Sequence, residues 1–229
     1  MSRVKAAAIH FVISVTVFSV FAFLVYFIWY AYPFFLLEGV SRIVLLMAGV
    51  DVVLGPLLTL ALFKIGKPGL KMDLFLIAMV QISALIYGGY IVYSERPMFG
   101  VFHKNRFEVV DNSDIDLNQL PAGIKRNGTF DKPQFVYQPP VEGSQYDQLL
   151  KSIEEKRSFR YVTYFENYKD YLSNGREVLK GSRPASELPE LEDFPNVDKL
   201  NYTYFEGSTQ SIIVLIDKQT AEIKSYFVR

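Results

Sequence analysis

Three long apolar stretches, each closed by charged or turn-forming residues, fill the first 96 positions of this chain. From Ala6 to Leu37 no residue is charged, a run of 32. A helix rises about 1.5 Å per residue, so about 20 apolar residues cross a bilayer core of about 30 Å. The pattern predicts a first membrane helix from Ala7 to about Tyr30, ended by Pro33, whose ring and missing N–H stop a helix. Arg42 and Lys64 bound a second stretch of 21 residues, which predicts a helix from Ser41 to Phe63. Lys64 to Lys71 reads as a tight basic loop, because Gly66, Pro68 and Gly69 break the helix. A third run, 21 uncharged residues between Asp73 and Glu95, predicts a helix from Met72 to Tyr93. Trp29, Tyr30, Tyr32 and Tyr87, Tyr90, Tyr93 sit where an aromatic belt meets the membrane interface. The first apolar run is far longer than that of a secretory signal and lacks a small-residue cleavage site, so it is read as a retained helix.

Beyond Pro97 the pattern becomes that of a water-facing domain. Met98 to His103 and Arg106 to Val110 read as a hairpin around Lys104-Asn105. A helical turn is expected within Asp111 to Gln119, and a strand over Gln134 to Tyr137. Tyr146 to Lys156 has the spacing of an amphipathic helix. Phe159 to Phe165 alternates like a strand, and Glu166 to Leu172 reads as a second short helix. Gly181 to Pro195 reads as a loop with a turn near Glu187 to Leu191. Leu200 to Phe205, Ser211 to Ile216 and Ala221 to Val228 predict an antiparallel meander. The expected fold is three transmembrane helices (residues 1–95) followed by an α+β domain with an antiparallel sheet (residues 96–229).

Charge adds orientation. The chain holds 24 basic and 24 acidic residues, and zero net charge argues against nucleic acid as a partner. Arg3, Lys5, Lys64, Lys67 and Lys71 fall on one side of a three-pass arrangement, whereas Arg42 and Arg96 on the other are offset by Glu38 and Glu95. Positive residues favour the cytoplasmic side. The expected placement is a bacterial inner membrane, with the N-terminus cytoplasmic and the domain after Glu95 periplasmic. The absence of cysteine removes thiolate chemistry and disulfide frameworks, and only His10 and His103 offer imidazole. No phosphate loop, metal spacing or nucleophile motif is present, so neither a cofactor, a metal nor an enzymatic activity is expected.

One residue breaks the apolar pattern. Asp51 is the single charge in the second run, and a carboxylate at that depth costs about 2.5–3.5 kcal/mol or more in hydrocarbon. Ala48, Asp51, Gly55 and Thr59 recur at helical spacing and share a face, as do Ala78, Gln81, Ala84 and Gly88 on the third helix. Small residues let helices approach closely. Three readings stand: the two stripes pack together with Gln81 or a hydroxyl satisfying Asp51, Asp51 lines a groove for another transmembrane helix, or it belongs to an ion path. The last is the weakest, because His10 is expected near the cytoplasmic edge and no other intramembrane acid accompanies Asp51. Pro56 is expected to kink the helix, with Gly55 easing the bend.

The run Val50-Asp51-Val52-Val53-Leu54-Gly55-Pro56-Leu57-Leu58-Thr59 resembles the hallmark of the TfpX/TfpZ family of type IV pilin accessory proteins, related to FimB-type fimbrial accessory proteins. Lys71-Met72-Asp73-Leu74, Gln81, Tyr87-Gly88, Glu95-Arg96-Pro97 and Phe102 to Val110 extend the likeness, which is strongest over residues 40–110. The resemblance implies a chaperone in fimbrial biogenesis that binds and stabilises a cognate type IV pilin, through both the pilin's transmembrane helix and its globular domain. Ala48, Asp51, Gly55, Pro56, Thr59, Gln81 and Gly88 are the expected partner-binding residues. The competing expectation is a membrane-anchored sensor or ligand-binding protein.

Overall fold

A computed structural model describes residues 2–115, 118, 120–139, 166–167 and 177–228. The chain divides into two compact units, Met1–Trp29 with Val40–Glu95, and Tyr30–Gly39 with Arg96–Arg229.

The first unit holds three helical spans, Arg3–Trp29, Ser41–Leu62 and Leu70–Ser94, of 27, 22 and 25 residues. At about 1.5 Å per residue each exceeds the bilayer core. Their outer faces are apolar and bare: Val12, Leu45, Leu57, Val80 and Ile86 are exposed, as lipid-facing residues are. Ser2 caps the first span, its hydroxyl accepting from the Lys5 N–H. That span ends in a π-helical turn, Val25–Trp29. Trp29 meets the Tyr93 ring edge-on at 5.2 Å, tying the ends of the first and third spans. Gly69, at φ +84°, starts the third span after the basic loop, where Lys67 pairs with Asp73.

The second unit is built on an eight-stranded sheet in the order β4-β3-β1-β2-β6-β7-β8, with β5 also on β6. The strands are β1 Pro97–His103, β2 Arg106–Asp111, β3 Gln134–Gln138, β4 Glu166–Asn167, β5 Arg183–Pro184, β6 Leu200–Glu206, β7 Ser211–Asp217 and β8 Ile223–Phe227. The expected hairpin around Lys104 and the C-terminal meander both form. Two pairings, β1 with β3 and β2 with β6, are parallel, joining segments distant in sequence. Alternation divides each strand between two buried faces. Phe102, Phe107, Phe205, Ile212, Val214 and Ile216 pack on one, and Phe99, Val101, Tyr202, Ile213 and Leu215 on the other. Burial on both faces is why β7 reads Ile-Ile-Val-Leu-Ile without a polar break. Gly100 makes room on the first face, where a Cβ would lie 2.8 Å from Phe135 and 3.1 Å from Phe205.

Two expectations change here. Glu166 and Asn167, read as the start of a helix, pair as a strand with Tyr137 and Val136, because the edge of β3 offers them backbone partners. The stretch between the first two spans, expected within the membrane part, belongs to the sheet unit. Phe34 and Leu37, at 2% and 0% exposure, sit in the first core beside Phe205 and Phe102. Phe34 meets Phe205 edge-on at 5.4 Å, and Tyr32 meets Tyr226 at 5.4 Å. The backbone is fastened too. The Thr209 N–H and hydroxyl donate to the Leu37 carbonyl at 3.0 and 2.9 Å, and Ser208 donates to the Glu38 carboxylate through its N–H and hydroxyl. Gly207 permits the approach, since a Cβ there would fall 2.6 Å from the Leu37 carbonyl oxygen. The amphipathic helix expected over Tyr146 to Lys156 and the strand over Phe159 to Phe165 lie outside the described residues.

Candidate functional site

The second span is not a uniform α-helix. Gly49–Leu54 is π-helical, between α-helical Ser41–Ala48 and Gly55–Leu62. Single π turns inside helices gather at functional positions. The cause lies in the residues. The Gly55 N–H bonds the Val50 carbonyl, five residues back. In that register the Asp51 carbonyl would need a donor at position 56, and Pro56 has none. Gln81 of the third span supplies it, its amide donating to the Asp51 carbonyl oxygen at 3.0 Å. Gly55 admits the amide, because a Cβ there would lie 2.1 Å from Gln81 Nε2. One turn of π-helix absorbs the proline that the pattern alone reads as a kink.

Gly88 plays the matching part farther along the third span, where a Cβ would fall 2.6 Å from the Met47 sulfur. Gly55, Gln81, Met47 and Gly88 thus join the second span to the third. Ala84 is half-buried and Ala78 exposed, so the expected stripe narrows toward Gly88.

Thr59 turns to the first span. It is 2% exposed, and its hydroxyl lies 2.6 Å from His10 Nδ1. His10 therefore stands against the second span rather than apart from it, within electrostatic reach of Asp51. The signal for this was available: Ala6, His10 and Ser14 recur every four residues, and Ala6 and Ser14 are both buried.

Asp51 itself is 7% exposed, and its carboxyl Oδ1 has no hydrogen-bond partner among the described residues. Neither expected partner serves the carboxyl: Gln81 takes the backbone carbonyl and Thr59 takes His10. A buried carboxyl oxygen left open in this way is an acceptor awaiting a donor.

Beside this cluster the first and second spans part to leave an open groove of about 530 Å³. Val15, Phe18 and Ser19 form one wall, and Leu45, Ala48, Gly49 and Val52 the other. The small residues Ala48 and Gly49 deepen it, and at Gly49 an added Cβ would meet nothing within 4 Å. Of the residues expected at a partner site, Ala48 lines the groove, Asp51 lies between groove positions 49 and 52 along the span, and Gly55, Pro56, Thr59, Gln81 and Gly88 are buried or half-buried within the bundle.

Comparison with known proteins places this arrangement. A family model described as "Fimbrial assembly protein FimB" matches residues 1–39. The fimbrial assembly protein of serogroup I of Dichelobacter nodosus is 40% identical over 125 residues, 52% of this chain and 48% of the relative. The chain therefore spans about half the length of that relative. The protein of serogroups C1 and C2 is 39% identical over 122 residues, covering 51% of this chain and 91% of the relative. That of serogroup E1 is 37% identical over 191 residues, covering 80% and 72%. No solved structure matches. With most of two such relatives covered, this three-span chain belongs to the fimbrial assembly protein family.

Proposed function

We propose that the chain is a membrane-embedded chaperone that binds a cognate type IV pilin and holds it stable before or during assembly. The observation that carries this reading is the groove between the first two spans, apolar, open and bounded by Ala48 and Gly49. A pilin awaiting assembly has an apolar helix that lies in the bilayer. Small residues on a span let a second helix approach closely, and packing rather than the hydrophobic effect holds helices together in lipid. Asp51 lies behind the groove wall and does not line it: a docked helix whose donor reaches that buried oxygen satisfies it, and a helix lacking one leaves it unpaired. Gly55, Pro56, Gln81, Gly88 and Thr59 act indirectly, by shaping the bundle that presents the groove. The role is binding, not catalysis. Following the basic residues Arg3, Lys5, Lys64, Lys67 and Lys71, the N-terminus faces the cytoplasm and the sheet domain the periplasm, in the inner membrane.

The test is recovery of the pilin with the full chain from membranes extracted in mild detergent. Gly49→Leu places a side chain in the groove at a position where an added Cβ meets nothing within 4 Å, and is expected to lower pilin recovery severalfold at unchanged chain level. Asp51→Asn is expected to lower it less and to broaden which pilins are held. Undiminished recovery with Gly49→Leu refutes the groove as the site.

A further inference from the structure

Among the described residues of the sheet domain, Phe130 is the most exposed aromatic side chain. Phe130 is 71% exposed at the tip of the loop between β2 and β3. The loop is not loose around it. Ile124 is buried in the core at one end. Asn127, 5% exposed, donates through Nδ2 to the Met98 carbonyl at 3.1 Å and the Lys132 carbonyl at 3.2 Å. Gln134 Nε2 donates to the Lys125 carbonyl at 2.8 Å and also to Asn127 Oδ1. The Gly128 N–H donates to Asp131 Oδ2 at 2.8 Å, and Lys125 pairs with Asp131 Oδ1 at 2.9 Å. The backbone is set on both sides of Phe130, so the ring is presented rather than left over.

Its neighbours are cationic. Arg126 and Lys132 are exposed on the same loop, and Lys125 joins them, while Asp131 is the single acid between 124 and 134. The bonds to Asp131 hold its carboxyl below the usual carboxylate range, first through Lys125 and then through the Gly128 N–H. An exposed aromatic flanked by Lys and Arg is the composition of a surface that lies in the headgroup region of a membrane: the ring enters the acyl boundary and the cations meet anionic lipid.

Chain length puts such a surface within reach. Met98, which Asn127 grips, follows the last residue of the third span, Ser94, by four positions. Four residues extend at most about 14 Å. Phe130 comes three residues after Asn127. The chain thus keeps the loop's attachment point close to the end of a membrane helix.

We propose that the loop 125–132 is a membrane anchor of the sheet domain, with Phe130 seated in the interface and Arg126 and Lys132 on anionic lipid headgroups. The inference uses only the membrane spans and this loop, and stands whether or not the groove holds a pilin.

The test places a reporter at the tip in the full chain, reconstituted into bilayer discs. Trp29 is the only tryptophan. The double variant Trp29→Phe, Phe130→Trp therefore reports from the loop alone, and Trp29→Phe, Gln219→Trp reports from the exposed β7–β8 turn as reference. In discs containing brominated phosphatidylglycerol the indole at position 130 is expected to lose roughly half its emission or more, as an interfacial indole does, with position 219 unaffected. Adding Arg126→Gln and Lys132→Gln is expected to lower the contact equilibrium by about fivefold per cation removed. Because the chain has no cysteine, Phe130→Cys carrying a polarity-sensitive dye gives the same reading if the tryptophan variant does not fold. Quenching of position 130 by aqueous iodide as strongly as position 219, with no effect of brominated lipid, overturns the proposal. Shielding of position 130 only on addition of a pilin also overturns it, and assigns the loop to a protein partner instead.

Discussion

Gly55→Ala tests the central contact between the second and third spans. The added methyl would lie 2.1 Å from Gln81 Nε2 and 2.6 Å from its Cδ. Those atoms end a flexible side chain, so the amide swings away and the backbone stays. What is lost is the hydrogen bond to the Asp51 carbonyl, the group that Pro56 cannot serve. Cross-helix hydrogen bonds in membranes are worth about 0.6 kcal/mol on average and about 1.7 at most. Against this, Ala gains up to about 1 kcal/mol over Gly in helix propensity. The single variant therefore shows a small net change, and the informative quantity is a cycle with Gln81→Ala. Where Gln81 is already Ala there is no amide to displace and no bond to lose, so Gly55→Ala becomes neutral or stabilising. The coupling between the two sites is expected to be about 0.6–1.7 kcal/mol. Unfolding in mixed micelles of rising dodecyl sulfate fraction measures it, with Trp29, packed against Phe21 and Tyr93, as reporter of the bundle. Additivity within about 0.3 kcal/mol would show that Gly55 is not there to admit Gln81, and the account of the π turn falls with it.

Two further outcomes concern the segment between the first two spans. Leu37→Ala, at a fully buried position, is expected to destabilise the sheet domain by about 2–5 kcal/mol, read as faster cleavage of the sheet domain in limited proteolysis. A segment that only linked two helices would tolerate the change. Glu38 supplies a pH dependence. Burial raises its carboxyl above the ordinary 4.5, opposed by the hydroxyl and N–H of Ser208. A carboxyl raised on folding binds its proton more tightly in the folded state, so stability falls as pH rises from about 4.5 through the folded value. Thermal melts of the wild type across that window are expected to slope downward, and Glu38→Gln, which keeps an acceptor for Ser208 and cannot ionise, to flatten the slope. Parallel slopes would remove Glu38 as its source.

The spans, the hairpin around Lys104 and the terminal meander were legible because each is written in a local period. The Phe34-Phe35-Leu36-Leu37 run was not, for a physical reason: burial in lipid and burial in a protein core select the same side chains. Continuous with the first span's apolar run, it reads as membrane. The parallel pairings of β1 with β3 and of β2 with β6 join segments far apart and leave no local trace. At the site, spacing revealed which residues share a face with Asp51 but not which atoms they serve. That depended on counting backbone donors: Pro56, five residues after Asp51, is silent, and Gln81 on another helix speaks for it.

The inserted segment also constrains how the chain crosses the membrane, independently of any charge count. Phe34 and Leu37 fill the same core as Phe102, Phe107 and Phe205. Residues of one core lie on one side of a bilayer. The second and third spans must therefore both cross or both stay, since together they return the chain to the side it left at Gly39. Each is apolar and longer than the hydrocarbon core is thick. Their linker carries Lys64, Lys67 and Lys71, which water holds readily and lipid does not. Packing fixes that parity, and span length with a basic linker is what a crossing pair carries. Had the sheet closed without Phe34 and Leu37, that conclusion would rest on lysines alone. With them in the core it rests on packing, and Glu38, bonded to Ser208, closes the segment that belongs to the sheet domain.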